Sequence, residues 1–169
     1  MSRVDVAARS LIDRFNLDTP PMDLDKVAAE LGVIVVRKPV ESTVNGMLMC
    51  RDDKVVVGLN EDRAPESQRF ALAHLIGHHQ IHRKRELLLD VVDRYSLGNL
   101  SSMPTDREEA EANRFAAALL APEVIVREMA ADADFRTSRQ LVELLAPRFE
   151  MTLGAMSYRL MMLGIVMDH

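Results

Sequence analysis

Two histidines four positions apart, His74 and His78, are where this sequence first offers chemistry. On a helix that spacing sets both rings on one face about one turn apart, close enough to chelate a single divalent ion. Two donors do not make a site. A third carboxylate donor is available further along, at Glu109 or at Glu111. Two imidazoles, one carboxylate and one open position form the usual arrangement of a catalytic zinc ion. The same residues also suit plainer roles. The histidines could be partly buried helix residues making ordinary hydrogen bonds, and Asp106, Glu108, Glu109 and Glu111 suit the positive end of a helix dipole. Spacing alone leaves both readings open.

The elements that must position these groups can be read from periodicity. Val4, Ala7, Ala8, Leu11, Ile12 and Phe15 recur at helical spacing, and the helix they predict stops before Pro20-Pro21. Asp23 caps a second helix with Leu24, Val27, Ala28 and Leu31 on its apolar stripe, and Gly32 suits its C-terminal cap. Val33 to Val36 is a β-branched run. Val44 to Cys50 and Lys54 to Leu59 flank the polar Arg51-Asp52-Asp53 turn, so three strands are expected, two of them a hairpin. Pro65 opens the helix that carries the histidines. Residues 84–105 are mixed, and we expect a partial helix over the apolar Leu87 to Val92 and a connector from Ser96 to Pro104. Further helices are expected from Asp106 to Leu120, Glu123 to Ala131, Ser138 to Phe149 and Leu153 to Leu163. No repeat or low-complexity segment interrupts them.

Around the histidines the chain reads RFALAHLIGHHQIH, and around the carboxylates EAEANRFAAALLAP. These segments resemble the ImmA/IrrE family of zinc metallopeptidases, whose pattern is R-F-x-x-A-H-E-x-G-H-x-x-x-H followed by E-x-x-A-N-x-F-A-A-x-L-L-x-P. The likeness extends to PMDLDKVAAELGVIVV, to the Asn45-Gly46-Met47-Leu48 segment, and to the last two helices. The resemblance implies an α+β, zincin-like metallopeptidase domain, a small three-stranded sheet with a mainly helical body. It makes His74, His78 and Glu109 the metal ligands and zinc the cofactor, with Glu111 the fallback for Glu109. Asn113 would then steady Glu109 from one helical turn away. Residues 1–135 are expected to form this domain, and 136–169 a helix-turn-helix-like segment packed on it.

One position departs from the pattern: Leu75 stands where the family has glutamate. In the H-E-x-x-H mechanism that glutamate takes a proton from the attacking water and passes it to the leaving amine. Leucine can do neither, so no catalytic residue is assigned; His79 and His82 are nearby substitutes. The expected product is a metallopeptidase-like regulatory protein with impaired or lost proteolysis. An active zinc endopeptidase using a substitute base is the first alternative. Because the family's substrates are often DNA-binding repressors or antitoxins, a protein of that kind is the implied partner.

Composition narrows the rest. The 169-residue chain is 48% hydrophobic and 28% charged with a net charge of −5, which provides no general attraction for nucleic acid or anionic membrane. The helix from Leu153 to Leu163 offers only Arg159 to a phosphate backbone, so a DNA-binding module through the C-terminal helices comes second among the alternatives and direct nucleic-acid binding is not expected. No apolar run approaches the roughly 20 residues of a membrane span, and the charged, helix-patterned N-terminus reads as the start of a cytoplasmic protein. The single cysteine, Cys50, excludes an internal disulfide and suits a buried strand position rather than a nucleophile. Three features remain to be placed: Val44 to Cys50 as a peptide cradle or a plain core hairpin, Tyr158 as an oxyanion aid or a core or rim residue, and the Met156, Met161, Met162 and Met167 cluster as helix packing or an adaptable partner surface.

Overall fold

A computed structural model describes residues 1–82, 84–92 and 104–166. The expected connector from Ser96 to Pro104 lies almost wholly outside the described residues, as does Met167. Helix α1 (Arg3–Arg14) begins with a capping box, in which Ser2 accepts from the Asp5 backbone N–H while the Asp5 carboxylate accepts from that of Ser2. Helix α2 (Leu24–Glu30) is capped by Asp23 and closed by Gly32 at φ +72°, a conformation glycine adopts without strain. Strands β1 (Val33–Lys38), β2 (Val44–Arg51) and β3 (Lys54–Asn60) follow. The β2–β3 turn places Asp52 and Asp53 at positive φ, as a tight hairpin turn requires.

Helix α3 (Pro65–Ile81) starts on its proline, as its sequence predicts. After it, Leu87–Val91 is not a partial helix but a strand, β4, paired antiparallel with β2. The sheet therefore has four strands rather than three, in the order β1-β3-β2-β4, with β1 parallel to β3 and the other pairs antiparallel. A short leucine-rich run does not distinguish helix from strand by its own pattern. What decides it is β2, whose outer edge offers backbone groups that Leu87 to Val91 pair with. The same pairing makes β2 an interior strand, so its edge is not free to cradle a peptide; among the described residues the sheet's edges are β1 and β4.

Helices α4 (Asp106–Leu120), α5 (Glu123–Asp132), α6 (Ser138–Leu145) and α7 (Leu153–Met162) complete the body. Helix α6 ends earlier than its apolar pattern suggests, because Pro147 brings in a 3₁₀ turn over Ala146–Phe149. Helix α3 lies between the sheet and α4, which is why every residue from Ala71 to His78 is buried, polar and apolar alike. Leu48, Val57, Leu59 and Leu88 from the sheet meet Leu72, Leu75 and Ile76 of α3, with Phe115 and Leu119 of α4 behind them. Burying each such side chain contributes about 1.5–3 kcal/mol. Helix α1 packs on α4, tied by a two-bond pair from Arg114 to Asp5 that draws the Asp5 carboxyl down to about 2.

Candidate metal centre

Helices α3 and α4 meet at Gly77, where a Cβ would lie 2.9 Å from Cδ1 of Phe115. That close approach brings the ligand-bearing faces together. His74 and His78, each 2% exposed, face Glu109 in the first turn of α4, whose start is set by a capping box between Thr105 and Glu108. Nε2 of His78 is 3.2 Å from Nε2 of His74 and 3.1 Å from Oε1 of Glu109, and Nε2 of His74 is 3.5 Å from Oε2 of Glu109. These three residues form the group whose donor atoms converge closely enough to hold an ion. A tetrahedral ion with bonds of about 2.0–2.1 Å holds any two ligands about 3.3–3.4 Å apart, so the spacing matches.

Glu111 does not join this group. It accepts from Nε2 of His82 at 3.0 Å, and Nδ1 of His82 lies 2.9 Å from Nδ1 of His78. Arg107 and Arg3 flank Glu111 on its other side, and the hydrogen bonds from His82 and Arg107 hold its carboxyl below the usual range. An ionised carboxylate only accepts, so Nε2 of His82 is the donor to Glu111. Nδ1 of His78 is taken up by His82, which leaves Nε2 of His78 facing Glu109 and His74 as the ring atom placed to bind a metal.

The electrostatics agree. Burial, helped by the neighbouring His74 and His82, lowers His78 and favours its neutral, lone-pair form. Burial also opposes charging of His74, but the hydrogen bond to Glu109 and the charges of Asp90 and Glu109 outweigh it and raise that ring. Burial would raise Glu109, yet the two imidazoles hold its carboxyl far below the ordinary range. Positive charge is thus drawn to one point. A borderline donor set of two imidazoles and one carboxylate fits a first-row divalent ion.

The remaining candidates fall into place around this point. Asn113 is directed at His74, whose charged form it favours, and it lines a cleft of about 350 Å³ with Asn45, Phe70, Asp90 and Tyr158. His79 is only part-buried, and its unpartnered Nδ1 lies outside the ligand group. Leu75 is fully buried beneath Gly46 and has joined the core. Cys50 is part-buried on β2, with its thiol pushed up by burial. Arg159, the one cation of α7, is buried, donates to the Ala121 carbonyl and falls to about 10 by desolvation, so it presents no charge outward. Met156 is fully buried, while Met161 is exposed. Sequence reasoning missed Asp90; the available signal was a lone acid in the run Leu87-Leu88-Leu89-Asp90-Val91.

Comparison with known proteins places these features. The family model of the IrrE N-terminal-like domain, a peptidase family, matches residues 28–161. The chain is 37% identical over 105 residues to the radiation response metalloprotease IrrE of Deinococcus radiodurans, a match covering 62% of this chain and 30% of that protein. It thus spans under a third of the curated relative it matches. A solved Mycobacterium tuberculosis transcriptional regulator superposes with a TM-score of 0.62 at 21% identity, over 95% of this chain and 47% of that one. At that identity the likeness is one of fold. Among the described residues no helix is long and apolar enough to cross a membrane.

Proposed function

This chain belongs to the IrrE N-terminal-like family of metallopeptidases, and from that premise we propose that it holds one zinc ion on His74, His78 and Glu109. We infer further that the adjoining cleft engages an extended segment of a repressor-type regulator or an antitoxin, with proteolysis impaired by Leu75. The carrying observation is the convergence of three donor atoms, on His74, His78 and Glu109, at 3.1–3.5 Å from one another. Zinc suits such a set because it takes imidazole nitrogen and carboxylate oxygen in tetrahedral geometry. Bound there, it would polarise a peptide carbonyl as a Lewis acid.

The protein's own groups then divide the work. His74 and His78 from α3 and Glu109 from α4 hold the metal, and Glu111, through His82, fixes the orientation of His78. Asn45, Asn113 and Tyr158 on the cleft wall offer hydrogen bonds to a peptide backbone. The edge of β4, unpaired among the described residues, gives an extended segment a strand to pair with. General acid–base catalysis contributes about 10²- to 10⁴-fold, and Leu75 forfeits that share at its own position. The partner class rests on the resemblance, and the name of the Deinococcus relative, a response metalloprotease, is in keeping with it.

Two measurements test this reading. Protein purified under zinc-replete conditions should carry about one equivalent of zinc, and His74→Ala should carry none; a metal-free wild type would overturn the proposal. Titrating the zinc-loaded protein with the repressor-type protein encoded beside it should show binding. Leu75→Glu should then raise cleavage of that protein by about 10²-fold or more, at some cost in thermal stability because a charge enters a buried position. Equal cleavage before and after would show that proteolysis is not limited at position 75.

A further inference from the structure

Strand β4 brings one more carboxylate to the metal centre. Side chains alternate along a strand, so Asp90 lies on the same face as Leu88, which is 2% exposed in the core between the sheet and α3. Asp90 is also registered opposite Gly46 of β2. Residues directly opposite one another share a face, and a Cβ built on Gly46 would come within 3.0 Å of Cδ1 of Leu75. Asp90 therefore stands on the side of the sheet that faces Leu75, across from the missing side chain of a glycine. It lines the cleft with Asn45, Phe70, Asn113 and Tyr158, and among the described residues it is the one carboxylate on that wall.

Its relation to the ligands is that of a neighbour. Asp90 acts electrostatically on both His74 and Glu109, yet it is not among the three residues whose donor atoms converge. The other carboxylates nearby are engaged, Glu109 with the two imidazoles and Glu111 with His82. We propose that Asp90 is the proton carrier of this site, supplying from β4 the carboxylate that the resembled motif places at position 75 of α3. This rests on the metal-centre reading above and gives it a route to residual hydrolysis. A water O–H bond breaks as its proton passes to a carboxylate oxygen of Asp90, and the water oxygen bonds to the peptide carbonyl carbon. The same proton then leaves Asp90 for the amide nitrogen as the C–N bond breaks, so the carboxylate is regenerated and nothing is oxidised or reduced.

The test uses the near-isosteric Asp90→Asn in the full chain, loaded with zinc for cleavage and with cobalt for spectroscopy. Metal stoichiometry should equal that of the wild type, which shows that Asp90 is not a ligand. Acetohydroxamate, followed through the visible cobalt bands, should bind about 10-fold or more weakly, because its polar hydrogens lose a charged acceptor. Cleavage of the repressor-type protein by the zinc form should fall about 10²-fold or more. Asp90→Glu should retain hydroxamate affinity, and adding Leu75→Glu to Asp90→Asn should restore it, neither of which a merely structural role would produce. Unchanged hydroxamate affinity and cleavage in Asp90→Asn, or loss of its metal, would overturn the carrier role while leaving the zinc reading intact. A wild type that takes up neither metal overturns the zinc reading itself.

Discussion

Both ring nitrogens of His78 are committed, one to the metal-facing cluster and one to His82, and the second commitment governs the first. Replacing Glu111 by glutamine would remove the ionised acceptor that orders the two rings while leaving all three ligands in place. Zinc affinity should fall about 10- to 100-fold, measured by competition with a chelating dye, with the fold unchanged by circular dichroism. Retained affinity would mean that His78 needs no such support. At this scale the sequence was informative where chemistry is local. His74 and His78 are one helical turn apart in any helix, and the Glu109 segment carries its own pattern. Asp90 was hidden because its proximity to the site depends on strand register opposite Gly46, a fact about residues far apart in the chain. Glu111 had been a rival to Glu109, and only the position of His82 between α3 and α4 separates their roles.

Among the elements, the contact between α3 and α4 sets the geometry of the whole centre. Gly77→Ala would drive a methyl group into the Phe115 ring, which contacts the glycine backbone closely. Overpacking of this kind costs about 1–3 kcal/mol, and here it would also separate the histidine face from Glu109. Denaturant unfolding should show the stability loss, and zinc titration of the folded variant should show weakened binding; an unchanged affinity would mean the helices part without disturbing the ligands. The helices other than α6 were legible to within a residue or two because their apolar spacing and caps are local, whereas α6 stops four residues short at the turn that holds Pro147. Strand β4 was not, since Leu87 to Val91 lacks β-branched alternation and gains its conformation from the edge of β2. That one strand accounts for the difference between a three-stranded and a four-stranded sheet, for the interior position of β2, and for Asp90.

For the molecule as a whole, the metal is expected to act as part of the fold, because its ligands come from two different helices, α3 and α4. An ion that binds the native state alone, at about 100 times its dissociation constant, adds about 2.7 kcal/mol. For a chain of this size that is a rise in melting temperature of about 5–10 °C, read by calorimetry with zinc and with excess chelator. No difference between the two scans would detach the centre from stability. The row of imidazoles on α3 bears on how quickly such an ion is taken up. Each ring on that row could in general turn about its side-chain bonds. Glu111, anchored by Arg107 and Arg3 at the surface end, holds His82 by Nε2, and His82 in turn holds Nδ1 of His78. The face of His78 that meets the ion is thus set in advance, and capture need not wait for the ring to turn.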